Sequence, residues 1–147
     1  MKIYLASDHA GFELKEALKK YLTELGYGGE DKGAYSLNSE DDYPDFIRPV
    51  VEAVAADPEH VRGIVLGGSG QGEAMIANRY KGVRAAVYYG GQLEIVKLSR
   101  EHNDANILSL GARFISEYEA KEAVKLWLET PFLGEVRHMR RIEKIDQ

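Results

Sequence analysis

The stretch that decides the fold is Val61-Arg62-Gly63-Ile64-Val65-Leu66, followed at once by Gly67-Gly68-Ser69-Gly70-Gln71-Gly72-Glu73. The first six residues are typical of a buried strand, the glycines predict a tight turn, and the residues after them start a helix. We call residues 67–72 the glycine loop. Such a turn exposes backbone N–H groups that can hold an anion. Because a carboxylate follows the glycines directly, the pattern favours proton-transfer chemistry.

Two familiar phosphate-binding patterns are excluded by the same carboxylate. A Walker A loop needs a lysine where this chain has Glu73, and the dinucleotide fingerprint needs a third glycine there. The alternative without function is a strand-to-helix turn whose glycines serve only close packing. Four glycines in six residues exceed what such a turn requires, and this favours a ligand.

Strand and helix patterns alternate along the rest of the chain. Apolar runs predict strands at 2–7, 61–66, 83–88 and 105–110, with a weaker one within 28–38. Helical spacing covers 12–25, 45–56, 70–80, 91–102, 117–128 and 135–145. The alternation predicts one α/β domain over residues 1–147 with a mainly parallel sheet of about five strands. Ligands bind such sheets beyond the carboxyl ends of the strands.

The composition excludes several classes of function. A net charge of −5 argues against nucleic-acid binding. The chain has no cysteine, which removes thiolate chemistry, and its four histidines show no ligand spacing, so we expect no metal site. No apolar run approaches the ~20 residues of a membrane span, and the first residues do not form a signal peptide. We therefore expect a soluble cytoplasmic protein.

Further candidate side chains each have a structural alternative. Asp8 and His9 follow the first predicted strand, where Asp8 could simply cap the next helix. His102 ends a helix and suits its macrodipole, and Asn103 could be the C-cap of that helix. Arg137 and Arg141 share one face of the last predicted helix. Two guanidinium groups suit a phosphate dianion, but a solvated face paired with Glu135 and Glu143 is the alternative.

Five segments occur in one order along the chain: Ser7-Asp8-His9-Ala10-Gly11, Gly68-Ser69-Gly70-Gln71-Gly72, Ala77-Asn78-Arg79, Ser99-Arg100-Glu101-His102-Asn103 and Arg137-His138-Met139-Arg140-Arg141. Together they resemble the type B ribose-5-phosphate isomerases and the related galactose-6-phosphate isomerases. The resemblance runs from Lys2 to Ile145.

The resemblance implies a Rossmann-like three-layer α/β/α sandwich that acts on a sugar phosphate. It implies interconversion of ribose 5-phosphate and ribulose 5-phosphate through an enediolate, without metal or cofactor. It also implies a homodimer or tetramer with residues of two subunits in each site, the C-terminal helix near 135–145 packing on the partner. Isomerisation of another four- or six-carbon sugar phosphate is the alternative, as is a non-catalytic module that binds a sugar phosphate or nucleotide.

The resemblance also assigns roles by position. Glu73 is the base, the loop holds the enediolate oxygen, two residues assist ring opening, two contact the sugar and four surround the phosphate. The enediolate oxygen is held by Ser69 with Gly68, Gly70, Gln71 and Gly72, and ring opening is assisted by His102 and Asp8. The sugar is contacted by Asn103 and Tyr43, and the phosphate is surrounded by His9, Arg113, Arg137 and Arg141. The partner subunit is expected to supply His102, Asn103 and Arg113.

Two features depart from the commoner family pattern. Many members carry a cysteine base where this chain has Gly67, whereas a second branch has a glutamate after the loop, which Glu73 matches. The helix N-terminus would weaken Glu73 as a base and burial would strengthen it, and the sequence leaves the balance open. The segment Tyr88–Gln92 looks longer and richer in glycine than usual, so it could reshape the sugar pocket.

Overall fold

The protein alternates strands and helices as the sequence predicts. A computed structural model describes all residues, 1–147. Its strands are β1 Lys2–Ser7, β2 Gly29–Asp31, β3 Val61–Gly67, β4 Ala85–Tyr88 and β5 Ile107–Gly111. Its helices are α1 Phe12–Glu24, α2 Tyr43–Ala56, α3 Gln71–Ala77, α4 Glu94–Asn103, α5 Glu117–Glu129 and α6 Val136–Glu143, and a short 3-10 turn at His9–Gly11 precedes α1. None of the helices combines the length and the apolar character needed to cross a bilayer.

All five strands are parallel, in the order β2-β1-β3-β5-β4. The chain leaves β1 toward β2 on one side and returns to β3 on the other, so the strand order reverses between β1 and β3. Ser7 pairs with Leu66 where these two strands end. The crevice at such a reversal is where open α/β sheets bind ligands. Because Ser7 and Leu66 are paired, the residues that follow them, Asp8 and the glycine loop, lie next to each other at this crevice.

The sheet buries an apolar layer on each face. Ile3 and Leu5 pack with α1, α4 and α5 on one face, around the fully buried Trp127. Tyr4 and Ala6 alternate with them and pack with α2 and α3 on the other face. The predicted α/β/α sandwich with five strands is therefore confirmed.

Two helix boundaries differ from the prediction for identifiable reasons. Helix α3 ends at Ala77 because the Asn78 amide turns to β4: its Nδ2 donates to the Ala85 carbonyl at 3.1 Å and its Oδ1 accepts from the Ala85 N–H at 2.8 Å. Helix α4 starts later than predicted, after Gly90 and Gly91 at φ of 111° and 89°. The residue that closes α4 in the left-handed region is Asp104, at φ 45°, so the expectation of Asn103 as the cap is wrong.

Candidate active site

The glycine loop presents backbone N–H groups that nothing in the chain accepts. Gly70 sits at φ 78°, a left-handed conformation that favours glycine, and its carbonyl accepts a bond from the buried Ser109 hydroxyl at 2.7 Å. The N–H groups of Gly68, Ser69 and Gly70 have no acceptor. These donors stand at the start of α3, where the helix dipole also favours negative charge. The loop is therefore built to receive an oxyanion.

Glu73 lies in the first turn of α3 and turns back against the end of β3. It is 4% exposed. Its carboxyl group occupies the space in which a Cβ on Gly67 would stand, so any side chain at position 67 would overlap both carboxyl oxygens. This conformation of Glu73 therefore needs a glycine at position 67, a relation that the sequence did not reveal.

The helix N-terminus and burial have opposite effects on the pKa of Glu73, and the effect of burial is the larger one. The pKa of Glu73 is raised above its ordinary value, first by burial and further by the nearby negative charge of Asp8, while the backbone N–H of Glu73 itself opposes the rise. A carboxylate with a raised pKa is a stronger base than an exposed glutamate. Of the two effects that the sequence left open, burial therefore outweighs the helix N-terminus in setting the pKa of Glu73.

A cavity of about 350 Å³ opens beside the Glu73 carboxyl. It unites seven of the predicted site residues with one that was not predicted, Phe114. The lining is Asp8, Tyr43, Gly68, Ser69, Gly72, Glu73, Arg113 and Phe114. The side chain of Gln71, in contrast, points to solvent, and only its backbone N–H is engaged, with the Ser69 hydroxyl at 3.4 Å. Proton-transfer, oxyanion and cationic groups therefore converge on one space.

Asp8 serves the fold as well as the cavity. Its Oδ1 accepts from the N–H groups of Ala10 at 2.9 Å and Gly11 at 3.3 Å and so caps the 3-10 turn. The alternative interpretation expected a cap on the long helix itself, but the N-cap of α1 is Gly11. The cap on the 3-10 turn fixes the carboxylate at the mouth of the cavity, so the structural and the functional interpretations are compatible.

Next to the cavity, His9 is held by a carboxylate that the sequence analysis missed. Asp41 Oδ1 lies 2.6 Å from His9 Nδ1 and also accepts the His9 backbone N–H at 3.1 Å. This hydrogen bond raises the pKa of His9, while the positive charge of Arg113 opposes the rise. The charge of Arg113 is therefore near enough to His9 to affect its pKa. Asp41 could have been suspected from its place two residues before Tyr43, but no local pattern joins it to a residue 32 positions away.

Asp8, His9 and Asp41 form a cluster whose side-chain ligand atoms all lie within 4.8 Å of one another. Sequence spacing did not predict this, because the fold supplies two carboxylates to a single histidine. Asp8 Oδ1 already accepts two backbone bonds, and His9 Nδ1 is bound to Asp41. The group is therefore satisfied internally as a charge pair beside a capped turn, apart from Asp41 Oδ2, which is buried without a partner.

Besides His9, Gly70 and Gln71, four further predicted residues do not line the cavity in the single chain. His102 stacks on His138, with ring centroids 4.3 Å apart, and Asn103 lines a different cavity together with Ser99 and Ile145. On α6, Arg137 pairs with Glu135 at 2.9 Å and remains 59% exposed at its side chain, and Arg141 is exposed. The Arg137–Glu135 pair belongs to the solvated-face alternative, whereas Glu143 forms no ion pair with either arginine.

Arg113 corrects an expectation. We expected the partner subunit to supply it, but the chain's own Arg113 follows β5 and lies against Gly68. The neighbouring Phe114 meets Tyr89 edge to face, with ring centroids 6.2 Å apart. The Tyr88–Gln92 segment therefore reaches the cavity through one aromatic contact.

Comparison with known proteins gives one consistent result. The family model described as Ribose/Galactose Isomerase matches residues 3–145. Ribose-5-phosphate isomerase B of Mycolicibacterium paratuberculosis is 42% identical over 143 residues, 97% of this chain and 88% of the relative. A crystal structure of ribose-5-phosphate isomerase B from Mycoplasma genitalium with bound ribulose-5-phosphate matches with a TM-score of 0.93 at 37% identity, covering 98% of this chain and 93% of that one.

A ribose 5-phosphate isomerase structure from Thermotoga maritima agrees, with 47% identity, a TM-score of 0.90 and coverage of 99% and 97%. The match spans the cavity as well as the fold, since it extends from β1 to the end of α6. The chain belongs to the ribose/galactose isomerase family.

Proposed function

We propose that the protein is a cofactor-independent isomerase that interconverts ribose 5-phosphate and ribulose 5-phosphate. Similarity over nearly the whole chain to ribose-5-phosphate isomerases B supports this, including one solved with ribulose-5-phosphate. The observation that carries the mechanism is the buried Glu73 carboxyl, which shares a cavity with the unpaired N–H groups of the glycine loop.

In the proposed mechanism Glu73 moves the proton between C1 and C2 of the open-chain sugar. A positioned base contributes typically 10²–10⁴-fold. The N–H groups of Gly68, Ser69 and Gly70 would stabilise the enediolate oxygen, at about 10²–10³-fold for each effective donor. Burial serves both steps, because it strengthens the base and the electrostatic attraction to the oxyanion together.

Ring opening and phosphate binding need the remaining residues. Asp8 stands at the cavity as one ring-opening group, with His102 as the other. Tyr43 and Asn103 would contact the sugar. His9, whose pKa the hydrogen bond to Asp41 raises, and Arg113 would bind the phosphate from this chain, and Arg137 and Arg141 would complete the phosphate site.

The distant residues lead us to propose a homodimer with shared sites. His102, Asn103, Arg137 and Arg141 do not line the Glu73 cavity of their own chain. A second copy could bring all four to that cavity through α6 and the end of α4. The exposure of Arg137 and Arg141 supports this, because the arginines are available at the surface. In this arrangement the dimer is obligatory for activity.

Solvent proton exchange into ribose 5-phosphate tests the base directly. Glu73→Gln keeps the shape of the side chain and should lose exchange and isomerisation by about 10²-fold or more while still binding the sugar phosphate. Glu94→Gln is the matched control, since Glu94 also lies in the first turn of a helix but is exposed. Near-normal exchange by the Glu73 variant would end its assignment as the base.

Subunit complementation tests the shared site. Mixing inactive Glu73→Gln chains with Arg137→Ala/Arg141→Ala chains, assayed at ribose 5-phosphate concentrations well below the raised KM of the arginine variant, produces dimers in which one of the two sites is intact. Random assortment then restores about a quarter of the wild-type activity, because half of the dimers are mixed. If all catalytic groups came from one chain, no mixture of the two variants would recover activity.

A further inference from the structure

A second polar cavity of about 410 Å³ lies at the opposite edge of the sheet. Arg62 reaches it from the start of β3, Arg84 from the residue before β4, and Arg100 from α4. Apart from Pro58 and Gly82, every residue of its lining has a polar or charged side chain. The glycine loop begins at the other end of β3, roughly 20 Å away at the usual rise per residue. The cavity is therefore separate from the candidate active site.

Two of these arginines already bind a carboxylate. Arg100 Nη1 donates to Asp104 Oδ1 at 2.7 Å, and Arg84 Nη2 donates to Asp104 Oδ2 at 3.3 Å. Both guanidinium groups also donate to backbone carbonyls, including that of Ala105 at 2.7 Å from Arg100. Arg84 and Arg100 are thus held in place. Their bonds to the Asp104 carboxylate show that their guanidinium groups are oriented to bind an oxyanion.

The third guanidinium has no carboxylate of its own. Arg62 makes one long hydrogen bond, from Nη1 to the Leu128 carbonyl at 3.4 Å, and its charge lies over the Trp127 ring at 5.3 Å from the centroid. Most of its N–H donors have no partner in the chain. Burial and the charge of Arg100 lower the pKa of Arg62 to about 10. A cation left without a partner near two others is unfavourable unless an anion joins them.

The charges around the cavity remain positive after all neighbours are counted. Besides the three arginines, the lining carries Asp104, which is shared by two of them, and Glu59, which is exposed at the rim. Arg84 and Arg100 bind Asp104, and this ion-pair cluster is complete without Arg62. Arg62 makes no hydrogen bond to Asp104. The contacts of Arg62 with the Leu128 carbonyl and the Trp127 ring hold its side chain at the cavity, and they leave most of its N–H donors free for a ligand.

We propose that this arginine cavity, defined by Arg62, Arg84 and Arg100, binds a phosphate-type oxyanion, either free or as the phosphoryl group of a metabolite. Guanidinium groups match the geometry of phosphate oxygens, and the volume exceeds that of a single phosphate. No group of the cavity belongs to the glycine loop site, although Arg84 donates to the backbone carbonyl of Asn103 at 2.9 Å.

The single tryptophan of the chain provides the measurement. Because Trp127 lies under Arg62, an anion that binds Arg62 should change the tryptophan fluorescence. Inorganic phosphate, pyrophosphate and glycerol 3-phosphate are titrated into the Arg137→Ala/Arg141→Ala protein, which weakens binding at the proposed active site, with chloride at equal ionic strength as control. Stronger binding of the ester than of the free anions would identify a metabolite as the source.

Two substitutions decide the outcome. Arg62→Gln should raise the Kd for the probe by about tenfold or more, because a charged hydrogen-bonding partner is lost, and should leave ribose 5-phosphate turnover unchanged. Glu59→Gln removes the rim carboxylate from an exposed position, where folding is not at risk, and should lower the Kd by about twofold. If Arg62→Gln fails to fold, Glu59→Gln and Arg84→Gln carry the test, with Arg84→Gln expected to weaken binding.

Three results would overturn the proposal. The first is a fluorescence response no larger than that to chloride. The second is a response that is the same in the variants of the cavity as in the parent protein. The third is a response to phosphate that is present in the wild type but absent from the Arg137→Ala/Arg141→Ala protein, which would place the anion at the active site. Turnover measurements report on the proposed isomerase separately, so the two ideas fail independently.

Discussion

The glycine loop and helix α6 hold their charged groups in opposite environments. Glu73 is 4% exposed and fixed against Gly67, inside a cavity that its own chain completes with Asp8, Ser69 and Arg113. Arg137, in contrast, is mostly exposed and paired only with Glu135. The difference separates two tasks. In the proposed mechanism, proton transfer needs a base whose environment is fixed in advance, whereas the phosphate would be bound by exposed cations of a second subunit.

The largest effect is expected from Gly67→Ala, which disturbs the buried Glu73 carboxyl group. The new methyl group would overlap the Glu73 carboxyl and displace it. Turnover should fall by about 10²-fold, as for other small misplacements of reacting groups. The cost in stability should be small, because the overlapping atoms are the end of one side chain that can move aside. Gly28→Ala is the control, because nothing lies within 4 Å of its Cβ position. Equal kcat values for the two variants would contradict the proposed fit.

A smaller but still large effect, on KM, is expected from removing the exposed arginines of helix α6. Arg137→Ala/Arg141→Ala should raise KM for ribose 5-phosphate by about tenfold or more, since each charged hydrogen bond is worth roughly 1.5–3 kcal/mol. Thermal stability should hardly change, because both side chains are exposed. Arg140→Ala, an exposed neighbour on the same helix, is the control. An unchanged KM would return both residues to the solvated-face interpretation.

Asp41→Asn should have an effect of several-fold, and one that depends on pH. Asp41 raises the pKa of His9, so the wild-type imidazole stays cationic to higher pH than an isolated one. Without Asp41 that charge is lost at lower pH, and KM should rise earlier as pH increases. Asp42→Asn is the control, since Asp42 is exposed and its side chain makes no capping bond. Superimposable profiles of KM against pH for the two variants would show that Asp41 does not control His9.

The smallest effect concerns stability. Because the pKa of Glu73 is raised in the folded protein, the stability that its protonated form contributes is lost as pH rises through that pKa. Glu73→Gln stays neutral, so its Tm should exceed the wild-type Tm at neutral pH, and the difference should shrink below the ordinary value of 4.5. Calorimetry at both pH values measures this. A lower Tm for the variant at neutral pH would mean that the buried carboxylate is stabilised by its surroundings.

The sequence predicts the sheet well because its signals are local. The apolar run before Gly67 and the glycines after it fix a strand, a turn and a helix start within 13 residues. Parallel strands then require that Asp8, the glycine loop and Arg113 meet at one edge, and they do. Periodicity and turn chemistry are sufficient for this much of the site.

The remainder depends on contacts between distant residues. Asp41 reaches His9 from a segment without regular structure, and Ser109 supports Gly70 from the middle of an apolar strand. No periodicity records either pair. The serine was detectable only as a lone polar residue among Ile107, Leu108 and Leu110, and the same signal would fit an unremarkable buried hydroxyl.

The fit of Glu73 against Gly67 has a consequence for how such a site can change over generations. The carboxyl group and any side chain at position 67 compete for one volume, so the two positions cannot be altered independently. A chain that gained a reactive side chain at 67 while keeping Glu73 would pass through an overcrowded, inactive intermediate. The effect of a substitution at position 67 should therefore depend on the residue at position 73, since each side chain limits the space of the other.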